Sequence, residues 1–512
     1  MKVTAAASSL KSIHIASRCA ALLTVLVGLF PANIVNAAEP TRPNVLLIIS
    51  DDLNNFLGCY DDPRARTPNL DRLAARGVLF ERAYCTFPLC GPSRNSMLTG
   101  LYPNSTGIYQ NSQIFRQTVP QHLSLPQAFR RQGYFAARLG KLYHYGVPGS
   151  VGTSGDDDPA SWELQMNPAG IDRLGDPARI FSLVPGQFGG TLSWYASPAS
   201  DERHTDGILA NDAQWVLQRC AADRQRPFFL AVGFFRPHTP YVAPRDPYFG
   251  YYPAADMPVV SGIEADRADL PAAAVASGKA VQDRMSDELR RQAMQAYYAS
   301  ISFMDAQVGR VVDALDRLAL ADDTIIVFTS DHGYHMGEHG LWQKMSLFEE
   351  SLRVPLLVVA PGVTTAGAVV RQPVSQVDLY PTLAHLCGIE PAATLQGESL
   401  VPVLKDPTHA ARGWALSQVN RGQGNKRYFG YSLRTDRWRY TEWDGGDAGR
   451  ELYDHDNDPR ELTNLAEDPA HAAEVQRLSQ LLRDAVGGSF PESGTAPKVR
   501  NRRWYPKLDA AQ

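Results

Sequence analysis

Three uninterrupted apolar runs each end abruptly in ionisable residues, and that pattern leaves few folds open to this chain. Asn44-Val-Leu-Leu-Ile-Ile-Ser50 stops at Asp51-Asp52, and Thr324-Ile-Ile-Val-Phe-Thr-Ser330 stops at Asp331-His332. Arg226-Pro-Phe-Phe-Leu-Ala-Val-Gly-Phe-Phe235 runs into Arg236-Pro-His238. A β-rich run without polar alternation is a strand buried on both faces, as in a parallel sheet covered by helices. Amphipathic segments lie between the runs: Asn69 to Arg76, Leu125 to Gln132, and Gln292 to Leu318. In the last of these, Met304, Val308, Val311, Val312 and Leu315 form one apolar stripe. The alternation predicts an α/β sandwich with a mostly parallel sheet, whose ligands bind beyond the C-terminal strand ends. The polar residues delivered there are the first candidates for a functional site.

A chain of 512 residues exceeds one ordinary core, so two domains are expected, one of them large. The pattern changes near residue 408. Tyr428 to Arg434, Trp438 to Trp443 and Arg450 to Tyr453 read as short antiparallel strands, with Gly445-Gly446 in a turn. A helix from about Ala470 to Val486 follows, then a loose tail. The expected organisation is a leader at 1–37, a large α/β domain at 38–408 and a smaller α+β domain with its tail at 409–512. The leader reads as a signal peptide: Lys2, Lys11 and Arg18 precede an apolar core from Cys19 to Phe30, and Val35-Asn36-Ala37 fits a cleavage site. Export to a periplasmic, secreted or lysosome-like compartment is therefore expected. No later run is apolar and long enough to span a bilayer. Residues 145–205, rich in Gly, Pro, Ser and Asp, read as a long insertion of the kind that lines a substrate mouth.

Fifty basic against 54 acidic residues argue against a nucleic-acid partner, yet leave room for a local cationic cluster that holds an anion. Of six cysteines, Cys19 leaves with the leader. Cys59, Cys85, Cys220 and Cys387 lack metal-ligand spacing, and the sequence does not pair them. Cys90 differs. It opens Cys-Gly-Pro-Ser-Arg94 and a run that turns helical, which places a nucleophile-sized side chain where free N–H groups favour an anion. Asp51 and Asp52 repel each other unless they share a cation, and Asp331 would complete an oxygen-rich site suited to Ca²⁺. Alone, the Asp pair also fits a turn or a helix cap. His332 is a borderline ligand for Ca²⁺. Lys141 supplies a cation and His144 a proton carrier in Leu139-Gly-Lys-Leu-Tyr-His144, while His238 and Lys344 are candidate proton donors.

The short run Cys-x-Pro-Ser-Arg is also the signature of the type I sulfatases, and further motifs occur in that family's order. They include Leu57-Gly-Cys-Tyr60, Pro68-Asn-Leu-Asp-Arg-Leu73, Gly140-Lys-Leu-Tyr-His144, Gly337-Glu-His-Gly340, Asp378-Leu-Tyr-Pro-Thr382 and Gly430-Tyr-Ser-Leu-Arg-Thr435. The mature chain resembles the sulfatases of the alkaline-phosphatase superfamily, most closely the iduronate-2-sulfatase subgroup, which also carries His at the place of His332. The resemblance implies a large alkaline-phosphatase-like α/β sandwich plus a smaller α+β domain with an antiparallel sheet. It implies one Ca²⁺ held by Asp51, Asp52, Asp331, His332 and the formylglycine that a maturation enzyme makes from Cys90. Arg94 and Lys141 would steady the formylglycine hydrate. One hydrate oxygen would attack sulfur while His238 or Lys344 protonates the departing sugar oxygen. His144 would take the remaining hydroxyl proton, so that the aldehyde re-forms and sulfate leaves. Lys344, His238 and Asp157 would contact substrate. The implied activity is hydrolysis of sulfate esters on sulfated sugars, with the 2-O-sulfate of a uronic acid in glycosaminoglycan-type chains as the subgroup's substrate. A different sulfated polysaccharide (an algal one, for example), a phosphate-ester hydrolase of the same superfamily and a catalytically inactive sulfated-glycan binder are the competing readings.

Overall fold

In the computed structural model, Asn44–Asp51 sits inside a mainly parallel sheet and pairs with Phe228–Pro237 on one side and Thr324–Ser330 on the other. The structure describes residues 42–391 and 394–499, so the expected leader at 1–37 lies outside the described residues. The sheet runs in the order Ala368–Val370, Val78–Tyr84, Arg353–Val359, Thr324–Ser330, Asn44–Asp51, Phe228–Pro237, Phe135–Gly140, Leu164–Met166. Arg353–Val359 is antiparallel to both of its neighbours, and the other pairings are parallel. The three apolar runs are buried along almost their whole length, as their lack of alternation requires.

Helices cover both faces. Asp287–Arg317 begins at Ser286, whose side chain accepts a hydrogen bond from the Leu289 N–H. Its Met304, Val308, Val311, Val312 and Leu315 stripe is buried against the sheet strands and the Thr205–Ala222 helix. The segment 145–205 contributes the edge strand Leu164–Met166. Its Phe181–Ser182 and Ser193–Ser197 join Tyr241–Pro244 in a small separate sheet.

A four-stranded antiparallel sheet follows, formed by Trp414–Arg421, Tyr428–Thr435, Trp438–Trp443 and Arg450–Asp454, and the Ala472–Gly488 helix packs on it. It belongs to the same compact unit as the large sheet. Ser417 Oγ donates to the Cys85 carbonyl at 2.6 Å, and the Gln418 N–H donates to the Thr86 carbonyl at 2.9 Å. Cys59, Cys85, Cys90, Cys220 and Cys387 are free thiols. Among the described residues no helix is long and apolar enough to cross a membrane.

The last strand carries an acid-sensitive contact. Arg437 grips Asp454 with two hydrogen bonds of 2.8 and 2.6 Å. That pairing, with Asn457 and the Asp456 N–H and against the effect of burial, holds the Asp454 carboxyl down at about 2 from its ordinary 3.8. A depressed carboxylate contributes stability above its unfolded value and loses that contribution as pH falls toward the folded one. Thermal melts of Asp454→Asn should therefore show a shallower loss of Tm than wild type between about pH 4 and pH 2. Parallel curves would assign Asp454 no part in acid unfolding.

Candidate active site

The register of the sheet assembles the site. Ser50 pairs with Ser330 across parallel strands, so Asp51-Asp52 and Asp331-His332 emerge side by side. Asp52 takes a left-handed backbone (φ 63°), and its N–H donates to Asp331 Oδ1 at 3.0 Å. Cys90 is the first residue of the Cys90–Thr99 helix, all of whose residues are buried. Leu89 before it gives no side-chain cap; the Gly91 N–H donates to Asn111 Oδ1 at 2.9 Å, and Pro92 carries no N–H. Lys141 enters from the end of Phe135–Gly140. Its backbone approaches Gly233 so closely that a Cβ there would lie 1.9 Å from the Lys141 carbonyl oxygen, which explains the glycine. Lys344 follows the hairpin of His335–Met336 and Trp342–Gln343, between Gln343 and Met345, both at positive φ. The Lys344 ammonium enters the cluster from this turn.

Cys90 Sγ lies 3.1 Å from Lys344 Nζ, 3.4 Å from His332 Nε2 and 3.8 Å from Asp52 Oδ1. Lys344 Nζ is 2.5 Å from Asp52 Oδ1, and His238 Nε2 is 3.6 Å from Asp52 Oδ2. Behind them, Lys141 Nζ meets Asp51 Oδ2 at 2.6 Å. Arg94 bridges Asp51 Oδ1 (3.2 Å) and Asp331 Oδ2 (2.9 Å). Three carboxylates thus face three cations, all buried except Lys344, which reaches the surface, and each charge depends on its partner. Burial pushes the Asp51 carboxyl up to about 6 despite Lys141 and Arg94. Burial also opposes the charges of Asp52 and Lys344. His238, Lys344 and His332 nevertheless hold Asp52 low, and Asp52 above all holds Lys344 well above the usual lysine range. Burial pulls His144, His238 and His332 below the ordinary imidazole value.

Asp52, Cys90, Asp331 and His332 each offer a ligand atom, all within 4.8 Å of one another. Asp52 Oδ2 is buried without a hydrogen-bond partner. His332 Nδ1 is 2.8 Å from the Gly333 carbonyl; donating there leaves the Nε2 lone pair facing the cluster. These donors fit a divalent cation. Asp51, expected as a ligand, has its two oxygens on Lys141 and Arg94 and stands behind this group.

A cavity of about 640 Å³ opens above Lys344 and His238, and His144 also lines it, with its Nδ1 unpartnered. Tyr145 to Val147 and Phe188 to Gly190, from the long insertion, form part of its wall. Asp157 is not among the lining residues. Its carboxylate accepts from Arg138 Nε at 2.6 Å and Trp162 Nε1 at 3.2 Å, so it is spent inside the wall. The structure therefore gathers Cys90, Arg94, Lys141, His144, His238, Lys344, Asp51, Asp52, Asp331 and His332, and leaves Asp157 aside. Sequence reasoning missed Lys279 and Arg421 in the lining, since neither stands in a motif or at the end of an apolar run.

The comparisons with known proteins agree with this geometry. A family model described as Sulfatase matches residues 43–389, and one described as N-sulphoglucosamine sulphohydrolase, C-terminal, matches residues 337–486. The chain is 33% identical over 458 residues to a sulfatase of Formosa agariphila, with 87% of each chain covered. It is 30% identical to iduronate 2-sulfatase of Mus musculus, covering 89% of this chain and 97% of that one. Identity to choline-sulfatase of Rhizobium meliloti is 32%, with 90% of each covered. Among solved structures, phosphonate monoester hydrolase of Agrobacterium radiobacter superposes with a TM-score of 0.71 at 27% identity, covering 90% of this chain and 100% of that one. With its strand-end carboxylates, its Cys90 helix and a family match over most of its length, the chain belongs to the sulfatase family of hydrolases.

Proposed function

We propose that this sulfatase acts on sulfated sugars that carry a second negative charge, and that its substrate is a 2-O-sulfated uronic acid at the end of a glycosaminoglycan-type chain. One observation carries the reading: among the described residues no Asp or Glu lines the cavity, while Lys279 and Arg421 line it without a carboxylate in salt-bridge contact. Lys279 donates to the Gly190 carbonyl and, at 2.7 Å, to Gln343 Oε1. Arg421 donates only to the Ala273, Asn420 and Met345 carbonyls, and burial pulls its guanidinium down to about 10. Two cations left without anions suit a carboxylate or a second sulfate on the sugar. A cationic alcohol such as choline would be repelled.

The roles proposed for the residues follow from their charge states. Formylglycine at position 90 supplies a hydrated aldehyde, with one hydroxyl to attack sulfur and a second to permit release of sulfate, and Cys90 Sγ stands in for those oxygens here. Asp52, Asp331 and His332 would hold Ca²⁺ beside it, with Asp51 fixing Lys141 and Arg94 behind them. Lys344, held strongly protonated, is a fixed charge for the sulfate oxygens. His238 has Nδ1 2.6 Å from the Thr239 carbonyl, so its Nε2 faces the reacting centre. In the imidazolium form, paired with Asp52 at 3.6 Å, that atom would pass a proton to the leaving sugar oxygen. His144, kept neutral by burial and with Nδ1 unpartnered, is the base that receives a proton from position 90.

The test is sulfate release from an oligosaccharide ending in iduronate 2-sulfate, using protein whose formylglycine has been confirmed by mass. Release is expected, with kcat/KM lowered about 10–100-fold in Lys279→Gln and Arg421→Gln, mainly through KM. Faster turnover of a neutral monosulfated sugar, or of a phosphonate monoester like that named for the structural relative, would replace the uronate reading.

A further inference from the structure

A second group of buried ligating side chains shares no residue with the Cys90 cluster. We infer that His339, Glu350 and Glu461 form a second divalent-cation site, one that takes a transition-type ion such as Zn²⁺. One ligand atom from each lies within 4.8 Å of the others. His339 and Glu461 both adopt left-handed backbones (φ 54° and 55°) and are buried, and they come together from opposite ends of the C-terminal third of the chain.

The orientation of His339 provides the independent observation. Its Nδ1 lies 3.1 Å from Asp266 Oδ2, so Nδ1–H donates to that carboxylate, and the ring stacks on Phe348 with centroids 3.8 Å apart. In the neutral ring Nε2 then carries the lone pair. Without an ion, burial is outweighed by the Asp266 and Glu350 carboxylates, which raise the imidazole to about 9 and put a proton on Nε2. It points toward Glu350 Oε2 at 3.7 Å, and neither atom has a hydrogen-bond partner. The imidazole is only 1% exposed. A lone pair facing a carboxylate oxygen is repulsive unless a proton or a metal ion lies between them. The 3.7 Å gap is too long for one shared proton. It is close to the ~3.4 Å edge between ligands of a tetrahedral ion bound at ~2.1 Å.

Carboxylate, histidine and ion in line is the arrangement that fixes a metal-binding tautomer, and Asp266 fills the outer position. One nitrogen and two carboxylate donors suit Zn²⁺ better than Ca²⁺. Access and a position for water come from a cavity of about 270 Å³ lined by Asp266, Glu338, His339, Glu350 and Arg460. Glu461 is already anchored: Oε1 faces Arg439 Nε and, at 2.8 Å, His455 Nε2, and Oε2 accepts from the Glu349 N–H at 2.8 Å. It would therefore join an ion through a remaining lone pair. An ion here would tie the 339–350 segment, which carries Lys344, to the C-terminal part of the chain.

Full-length protein is stripped with chelator, returned to saturating Ca²⁺ and titrated with Co²⁺, whose visible absorption reports nitrogen and oxygen ligands. About one equivalent per chain should bind with visible bands that Zn²⁺ removes. The bands should persist in Cys90→Ala and vanish in His339→Gln. Asp266→Asn should weaken the affinity about 10–100-fold. Glu350→Gln gives the same reading should His339→Gln fail to fold. Absence of bands in the wild type, or their survival at unchanged affinity in Glu350→Gln, would overturn the site.

Discussion

Replacing Cys90 by Ala should lower sulfate release by at least ~10⁴-fold with little change in stability. The size of the loss follows from the surroundings of the side chain. His332, Asp52 and Lys344 all converge on Cys90 Sγ within 3.8 Å, and no hydroxyl or second thiol is placed to take its role there. Ser93, the nearest hydroxyl in the same helix, is committed to the Asp331 carbonyl and, at 3.0 Å, to Gln376. Cys90→Ser is the more informative variant. It restores an oxygen of about the right size but offers one hydroxyl, so an ester formed on it has no second hydroxyl to expel sulfate. A burst of one turnover followed by arrest is expected from Cys90→Ser, and none from Cys90→Ala. Steady turnover by either variant would remove position 90 from the chemistry.

Arg94→Met should cost about 3–5 kcal/mol of stability and abolish activity with it, read from the denaturant midpoint and from sulfate release. Arg94 is wholly buried and holds Asp51 and Asp331 through separate nitrogens, and its Nη1 also donates to the Lys141 carbonyl at 2.6 Å. Removing the guanidinium leaves two enclosed carboxylates with one fewer cation. The penalty is that of stranded charge, since the shape of Met replaces most of the lost volume. Adding Asp331→Asn to Arg94→Met should recover part of the stability and none of the activity. If the double variant is no more stable than the single one, the loss comes from packing instead of charge.

How much could be read from the chain depended on how local each signal was. Asn44 to Ser50 and Thr324 to Ser330 are apolar throughout, so their burial and the residues at their ends were legible. Trp414–Arg421 was not. Its Ser417 and Gln418 are buried polar residues that donate to the Cys85 carbonyl and to Asn104, which leaves no clean alternation to find. The reversed direction of Arg353–Val359 is likewise invisible in an apolar run that would suit either sense. In the site, Cys90, Arg94 and Lys141 stand in recognisable motifs. Lys279 and Arg421 do not, because a cation without a partner is defined by what is missing from its surroundings. Asp157 is the opposite case: the resemblance placed it at the substrate, but its carboxylate pairs with Arg138 on the Phe135–Gly140 strand and does not line the cavity.

The pairing of Ser50 with Ser330 also bears on how the molecule comes together. Those residues are 280 positions apart in the chain, and the other neighbour of the same strand is about 186 away. Closing loops of that length costs entropy before any contact rewards it, and such high contact order makes folding slow. Asn44–Asp51, the first of the described strands to emerge, is therefore among the last to find both its partners. Its strand-end carboxylates have no site to belong to until the Lys344 segment has been made, so catalytic competence arrives in one late step and not in proportion to the length of chain completed.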